Sequence, residues 1–220
     1  MQLQLNQLIF QPGQRWLLQN IRWDKFEQIL DELGDARAAR LAYYKGTLEI
    51  MVPLAGHERQ KVIIGNLVEI MLEEFDIEFA PFGSTTFKRE DMDAGVEPDE
   101  CFYIRNEAAV RGRDRIDLNT DPPPDLAIEI DVTSGSQIKK NSYQTLGVPE
   151  LWIYDGRSLQ INVLRNRKYV EVYQSQIFSD LPIVEVIPRY LDQSKREGRN
   201  VAIKAFRAWL TEELRRINRR

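Results

Sequence analysis

Two carboxylates, Glu129 and Asp131, lie one residue apart in the apolar segment PPDLAIEIDVT, residues 123–133. If this segment is a strand, the acids share one face at a spacing of about 6.5–7 Å, and neither can neutralise the other. The opposite face would be aliphatic, with Leu126, Ile128, Ile130 and Val132. An unpaired buried carboxylate is costly, so either the acidic face is solvated or paired with arginines, or a divalent cation binds there.

A third acid, Asp99, favours the cation. Asp99 follows Pro98 in GVEPDECFYI, residues 95–104, which we predict to be a neighbouring strand. Carboxylate oxygens are the ligands that Mg²⁺ prefers, and a bound metal polarises a phosphate and lowers the pKa of water. A lysine nearby could orient that water or offset charge on phosphorus. Asp99, Glu129 and a lysine are therefore the groups that metal-dependent phosphodiester hydrolysis needs.

The elements that position these residues form an α/β pattern. Apolar residues at helical spacing predict a long helix over residues 57–75, preceded by a hairpin that turns at Lys45-Gly46. Strands follow, then a short helix over residues 134–147 and a strand at 150–156. The predicted core order is helix, three strands, helix, strand, with extra strands and two C-terminal helices in a single domain spanning residues 1–220.

Composition limits the classes of protein that fit. Of the 220 residues, 43% are hydrophobic and 29% are charged, which predicts a soluble chain with a real core. No apolar run approaches the roughly 20 residues of a membrane span, and the first residues lack a signal-peptide pattern. One cysteine excludes an internal disulfide and zinc-ribbon pairs, so we expect a cytoplasmic protein. Phosphate-loop and serine-hydrolase motifs are missing.

Several segments together resemble a known family. These are VEPD, PDLAIEI, TSGS with Lys139 after it, and YQTLGVPELWIYDG, residues 143–156. They are similar to the Uma-type restriction-endonuclease family of the PD-(D/E)XK nuclease superfamily, from about Trp23 to the C-terminal helices. The resemblance implies a restriction-endonuclease-like core, with Asp99 as the PD aspartate and Glu129 as the acid of the (D/E)XK strand. It also implies Mg²⁺ or Mn²⁺ as cofactor and DNA as substrate.

The chain departs from the superfamily pattern at one position. Asp131 stands two residues after Glu129, where the superfamily usually has lysine. In the family, the lysine is displaced onto the following helix, four residues before a tyrosine, which is Lys139 here. If Ser136 caps that helix, Lys139 lies in its first turn near the end of the strand. Lys140 is the alternative.

Further residues have two interpretations each. His57 could line the site, as the family implies, or cap the long helix. Glu49 could be an outer metal or water ligand, as the family implies, or form a salt bridge. Asp131 could be a second metal ligand or a solvated strand end. Tyr143 could hydrogen-bond to the site, although packing is favoured.

We therefore predict a Mg²⁺- or Mn²⁺-dependent DNA endonuclease, with a homodimer expected from enzymes of this fold that cut duplexes. Residues 158–173 and the C-terminal helices are candidates for the dimer surface. The alternative is a nuclease-fold module with weak or lost metal binding that serves protein or nucleic-acid interaction. A carboxylate-pair glycosidase fits less well, because the acids are predicted on adjacent strands with a lysine nearby. Arginines 111, 113 and 115 could meet phosphate, but a solvated loop is favoured.

Overall fold

The computed structural model describes residues 11–34, 37–83, 85–131 and 135–219. The strands in these ranges are β1 (Arg15–Leu18), β2 (Arg40–Tyr44), β3 (Thr47–Met51), β4 (Ala80–Pro81), β5 (Phe87–Arg89), β6 (Ala94–Val96), β7 (Glu100–Tyr103), β8 (Leu126–Ile130), β9 (Glu150–Tyr154), β10 (Leu159–Arg165) and β11 (Lys168–Val172). The helices are α1 (Trp23–Leu33), α2 (Ala55–Glu74), α3 (Glu107–Val110), α4 (Gln137–Leu146), α5 (Ile183–Glu197) and α6 (Arg199–Ile217).

The first sheet is antiparallel and has the strand order β1-β3-β2-β6-β5. Its central hairpin, β2-β3, turns at Lys45 and Gly46, whose φ angles of 45° and 78° suit a tight two-residue hairpin turn. Helix α1 covers the outer face of this sheet, where Phe26 stacks on Tyr43 with ring centroids 4.6 Å apart. The predicted hairpin is therefore present, with the predicted turn.

The second sheet has the order β11-β10-β9-β8-β7-β4 and is mixed. Strand β8 pairs in parallel with β9 and antiparallel with β7. A parallel pair needs a crossover, and α4 supplies it between β8 and β9. The elements α2, β4, β7, β8, α4 and β9 reproduce the order helix, three strands, helix, strand. The predicted restriction-endonuclease-like α/β core, with extra strands and two C-terminal helices, is confirmed.

Helix α4 lies between the two sheets. It contacts β2, β3 and β6 of the first sheet, and its Tyr143 and Leu146 pack with Ala42 from that sheet and Ala127 from the second. Ala127 is on the same face of β8 as Glu129, because side chains two residues apart share a face. The packing of α4 therefore covers the acidic face of β8.

Helices α2, α5 and α6 cover the opposite face of the second sheet. Leu126, Ile128 and Ile130 of β8 are fully or almost fully buried there, in a cluster with apolar residues of the three helices. The predicted aliphatic face of the strand is thus confirmed for these three residues, whereas Val132 lies outside the described residues. None of the helices in the described ranges is long and apolar enough to span a membrane.

The segment GVEPDECFYI is not a single strand, so this part of the prediction is wrong. It forms β6 in the first sheet and β7 in the second, with a corner at residues 97–99. Glu97 is held at this corner by Arg37 and by the backbone N–H of Leu41, which donates to Glu97 Oε2 at 3.0 Å. Pro98 has no N–H to donate and interrupts the strand. The corner brings Asp99 to the beginning of β7.

The close approach of α1 to β6 gives a test of this packing. A Cβ atom on Gly95 would lie 2.9 Å from Phe26 Cζ, so Gly95→Ala forces the aromatic ring to move. We expect a loss of about 1–3 kcal/mol in the free energy of unfolding, as in other overpacked cores. Gly56→Ala is the control, because nothing lies within 4 Å of its Cβ position. Urea denaturation of both variants measures the difference, and equal stabilities would contradict the packing described.

Candidate active site

Glu129 and Lys139 form a buried ion pair between β8 and α4. Ser136 begins α4 and accepts a hydrogen bond from the backbone N–H of Lys139 at 3.0 Å, as predicted for an N-cap. From this first turn, Lys139 Nζ reaches Glu129 Oε2 at 2.6 Å. The hydroxyl group of Tyr143, one turn later, donates to Glu129 Oε1. Both oxygens of Glu129 therefore have partners on α4.

Asp99 lies beside this pair and is completely buried. Residue Glu100 pairs with Ile128, so extending the register by one residue sets Asp99 opposite Glu129. The backbone N–H of Ile130 donates to Asp99 Oδ2 at 2.8 Å, and His57 Nε2 lies 3.2 Å from the same oxygen. Among the residues that the structure describes, Asp99 Oδ1 has no hydrogen-bond partner. One oxygen of this buried carboxylate therefore has no hydrogen-bond partner within the described residues.

The pKa values of Asp99, Glu129 and Lys139 are shifted by their burial and by their mutual charges. Burial raises the pKa of Glu129, and the negative charge of Asp99 adds to this, against the effect of Lys139. Burial also acts to raise the pKa of Asp99, but the charge of Lys139 and the contact with His57 outweigh it and hold that pKa below its usual value. Burial would lower the pKa of Lys139, yet the two carboxylates raise it. Lys139 therefore stays a cation. Of the two carboxylates, Asp99 is the one whose pKa is lowered, which favours its ionised form.

Glu49 lies across the site, on β3. Its Oε2 accepts a hydrogen bond from Ser136 Oγ at 2.7 Å and lies 3.3 Å from Arg15 Nε. Arg15 also donates to the carbonyl oxygen of Gly135 at 3.4 Å. The salt bridge considered for Glu49 is thus present, and it joins β1 and β3 to the start of α4. Arg15 was not among the predicted site residues, because nothing in its spacing connects it to the acids.

Residues of β1, β3, α2, β8 and α4 surround a cavity of about 220 Å³. The charged and polar residues that line it are Arg15, Glu49, His57, Gln60, Glu129, Asp131, Ser136 and Lys139. Asp131 follows the end of β8, is partly exposed, and donates its backbone N–H to the carbonyl oxygen of Tyr154 at 2.8 Å. The structure therefore brings the sequence-predicted site residues to one cavity, with Asp99 buried next to His57 and Ile130, two of the residues that line it.

Other candidates lie elsewhere. Lys140, the alternative lysine, places its Nζ 2.7 Å from Asn162 Oδ1 on β10. Arg111 donates to Glu107 at 2.7 Å, and Arg113 lies 3.6 Å from Asp121. Their loop precedes β8, at the opposite end of that strand from Glu129. Lys140 and these arginines are held by their own neighbours and do not reach the cavity.

The donors fit a metal site that is completed by water and substrate. In the described part of the chain, no three His, Cys, Asp or Glu side chains are grouped closely enough to hold a metal by themselves. Mg²⁺ in nucleases and related enzymes usually takes only one or two carboxylates, with water and phosphate oxygens as its other ligands. Asp99, with its unpartnered Oδ1, and Glu129, whose oxygens contact Lys139 and Tyr143, are two carboxylates of the kind that such a site would need.

The coupling of Lys139 to Glu129 can be measured by a double-mutant cycle. We expect Lys139→Met and Glu129→Gln to show a coupling free energy above about 1 kcal/mol, because the two charges are shielded from water. The control cycle is Arg196→Met with Asp192→Asn, an exposed pair at 2.9 Å that should couple by about 0.3–0.5 kcal/mol. Denaturant unfolding gives both values. Similar coupling in both cycles would mean that the ion pair is not formed as described.

Comparisons with known proteins agree with this fold. No curated protein matches the sequence. A crystal structure of a protein described as a "putative nuclease belonging to DUF820", from Anabaena variabilis, has a similar fold, with a TM-score of 0.54 and 17% sequence identity. The similarity covers 78% of this chain and 99% of that one. The model of the family Uma2, described as "Putative restriction endonuclease", matches residues 23–192. This match spans more than half of the sequence, and the chain therefore belongs to the Uma2 family.

Proposed function

We propose that this protein is an endonuclease that hydrolyses phosphodiester bonds in DNA with Mg²⁺ or Mn²⁺. The observation that supports this most strongly is the meeting of Asp99, Glu129 and Lys139 beside one cavity, with one oxygen of Asp99 left without a partner. Membership of the Uma2 family supports a nuclease function. Divalent metal ions are general among restriction-endonuclease-like enzymes, which supports the proposed cofactor.

Asp99 and Glu129 would hold the metal. Asp99 is the stronger candidate, because its charge persists and its Oδ1 is unpartnered. Glu129 would contribute an oxygen that Lys139 or Tyr143 now contacts, and Asp131 at the cavity wall is a candidate for a second ligand. When bound, the metal supplies Lewis-acid polarisation of the phosphate and a lower pKa for water.

Lys139 would act on the reacting atoms. Its ammonium group lies at the cavity next to Glu129, where it can orient an attacking water molecule or offset charge that develops on phosphorus. Ser136 fixes the first turn of α4, so the flexible lysine stem starts from a defined point near the end of β8. Lys139 on α4 would therefore take the role of the lysine that the superfamily usually has two residues after the strand acid.

His57 and Glu49 would position these groups. His57 contacts the Asp99 oxygen that also receives the Ile130 N–H, so Oδ1 is the oxygen that would bind a ligand. Glu49 holds Ser136, and through it the turn of α4 that carries Lys139. Both residues line the cavity, so either could also contact water or substrate.

A second candidate function is a nuclease-fold module without catalysis. It is favoured by the short Lys139–Glu129 contact, in which the ammonium group compensates the charge of Glu129. Buried ion pairs of this kind can be retained for structural specificity alone. The homodimer expected from duplex cleavage remains a prediction, with residues 158–173 and the helices α5 and α6 as its candidate surface.

Plasmid nicking in Mn²⁺ separates these functions. We expect Asp99→Asn, Glu129→Gln and Lys139→Ala each to lower the nicking rate at least about 100-fold, as expected when a group that stabilises the transition state is removed. Lys140→Ala is the matched control and should stay within about twofold of the wild type, because Lys140 contacts Asn162 outside the cavity.

Thermal unfolding of each variant shows whether a loss of nicking comes from a loss of folding. Equal nicking by the wild type and all four variants would identify a contaminating nuclease. That result, or a wild type without any activity in Mg²⁺ or Mn²⁺, would remove the enzymatic proposal and favour the module.

A further inference from the structure

The proposed catalytic groups lie in a recess. Asp99 is 0% exposed, Glu129 is 4% exposed and Lys139 is 6% exposed. The cavity of about 220 Å³ beside them is smaller than the roughly 300–1,000 Å³ of pockets that hold drug-sized ligands. A phosphate group must therefore enter a narrow space to reach these side chains.

One wall of the cavity is apolar. The segment 51–54, with the sequence MVPL, connects β3 to α2 and lines the cavity along its whole length. Leu54 is 48% exposed, and its Cδ2 atom lies 3.2 Å from the position of a Cβ atom on Gly13, which also lines the cavity. An apolar wall beside charged groups suits a ligand that has an anionic part and an aromatic part.

Two cationic side chains line the same space. Lys139 lies next to Glu129, and the guanidinium group of Arg15 is oriented by Glu49 and by the carbonyl oxygen of Gly135. Arg15 belongs to β1, which precedes the matched family region of residues 23–192. Lysine and arginine bind phosphate through charge-assisted hydrogen bonds. The carboxylates of Glu49, Glu129 and Asp131 line the same cavity, so a phosphate would share Arg15 and Lys139 with these acids. The uncharged part of the ligand would lie at segment 51–54.

We propose that the cavity accepts the phosphate of one unpaired nucleotide of a DNA strand, at Arg15 and Lys139, while the base of that nucleotide packs on the exposed side chain of Leu54 in segment 51–54. The substrate class is then DNA that is single-stranded or locally unpaired. This inference depends on the proposed nuclease function and specifies which DNA reaches the site.

An intact duplex fits this geometry poorly. Duplex DNA is stiff over about 150 base pairs, and its bases are stacked inside. A nucleotide can place its phosphate in the recess and its base on the apolar wall only if the base leaves the stack. Leaving the stack is easiest for a nucleotide that is already unpaired.

Cleavage rates on matched substrates test the proposal with the full chain in Mn²⁺. The substrates are a labelled single-stranded oligonucleotide, the same strand in a blunt duplex, and that strand with a short bulge opposite its complement. We expect the single strand and the bulge to be cut at least about tenfold faster than the duplex. Faster or equal cleavage of the duplex would overturn the inference and leave the nuclease function in place.

Two variants test the apolar wall. Leu54→Gln keeps the size of the side chain and removes its apolar character without adding charge. Val62→Gln is the control, since Val62 is also 48% exposed but lies on α2 outside the cavity. We expect Leu54→Gln to slow single-strand cleavage at least about threefold and Val62→Gln to leave it unchanged. Equal rates for both would overturn the role of segment 51–54.

Binding separates this inference from the proposed function. Fluorescence anisotropy without metal reports the affinity for single-stranded and duplex oligonucleotides. One outcome is that no DNA is cleaved, the single strand binds more tightly than the duplex, and Leu54→Gln weakens single-strand binding. In that case the nuclease function fails and the inferred ligand class stands. If no DNA is cleaved and the affinities are equal, both fail.

Discussion

The burial of two carboxylates and one ammonium group between β8 and α4 is the constraint on which the site depends. Two charges taken out of water are stabilised only by good geometry, and such a pair often stabilises a fold no better than apolar residues would. Here Lys139, Tyr143 and the Ile130 N–H satisfy most of the oxygens, and Asp99 Oδ1 remains without a partner in the described chain. Burying these charges costs free energy, and one carboxylate oxygen still lacks a hydrogen-bond partner. Such an arrangement is more typical of a reactive site than of a structural core.

The position of α4 between the two sheets keeps Lys139 next to the buried acids. The chain passes from the first sheet to the second at the Glu97-Pro98-Asp99 corner, and this switch brings Asp99 beside β8. Ser136 joins the start of α4 to Glu49 on the first sheet, while Tyr143 joins the middle of the helix to Glu129 on the second. Movement of either sheet would change the distance between Lys139 and the acids, so the two-sheet architecture and the site are parts of one arrangement.

Local patterns predicted much of this arrangement. The alternation of residues 126–130 placed Glu129 on one face and the aliphatic residues on the other, and Ser136 was identified as the N-cap that brings Lys139 to the strand. Long-range contacts were not predictable in the same way. The corner between β6 and β7 is held by Arg37, which reaches Glu97 across 60 positions, and the place of Arg15 depends on sheet pairing. Packing was favoured for Tyr143, whose side chain is fully buried and also bonds to Glu129, because its burial was visible in the pattern but its partner was not.

Asp99 is proposed to offer an oxygen to a metal ion beside Lys139. Anomalous diffraction from a crystal soaked in Mn²⁺ tests this most directly, because it locates the ion without any assay of activity. We predict a peak about 2.1 Å from Asp99 Oδ1, the distance typical of a small divalent cation, with Glu129 as the second protein ligand. A map without a peak at Asp99, in a crystal where Lys139 still contacts Glu129, would contradict metal binding by Asp99.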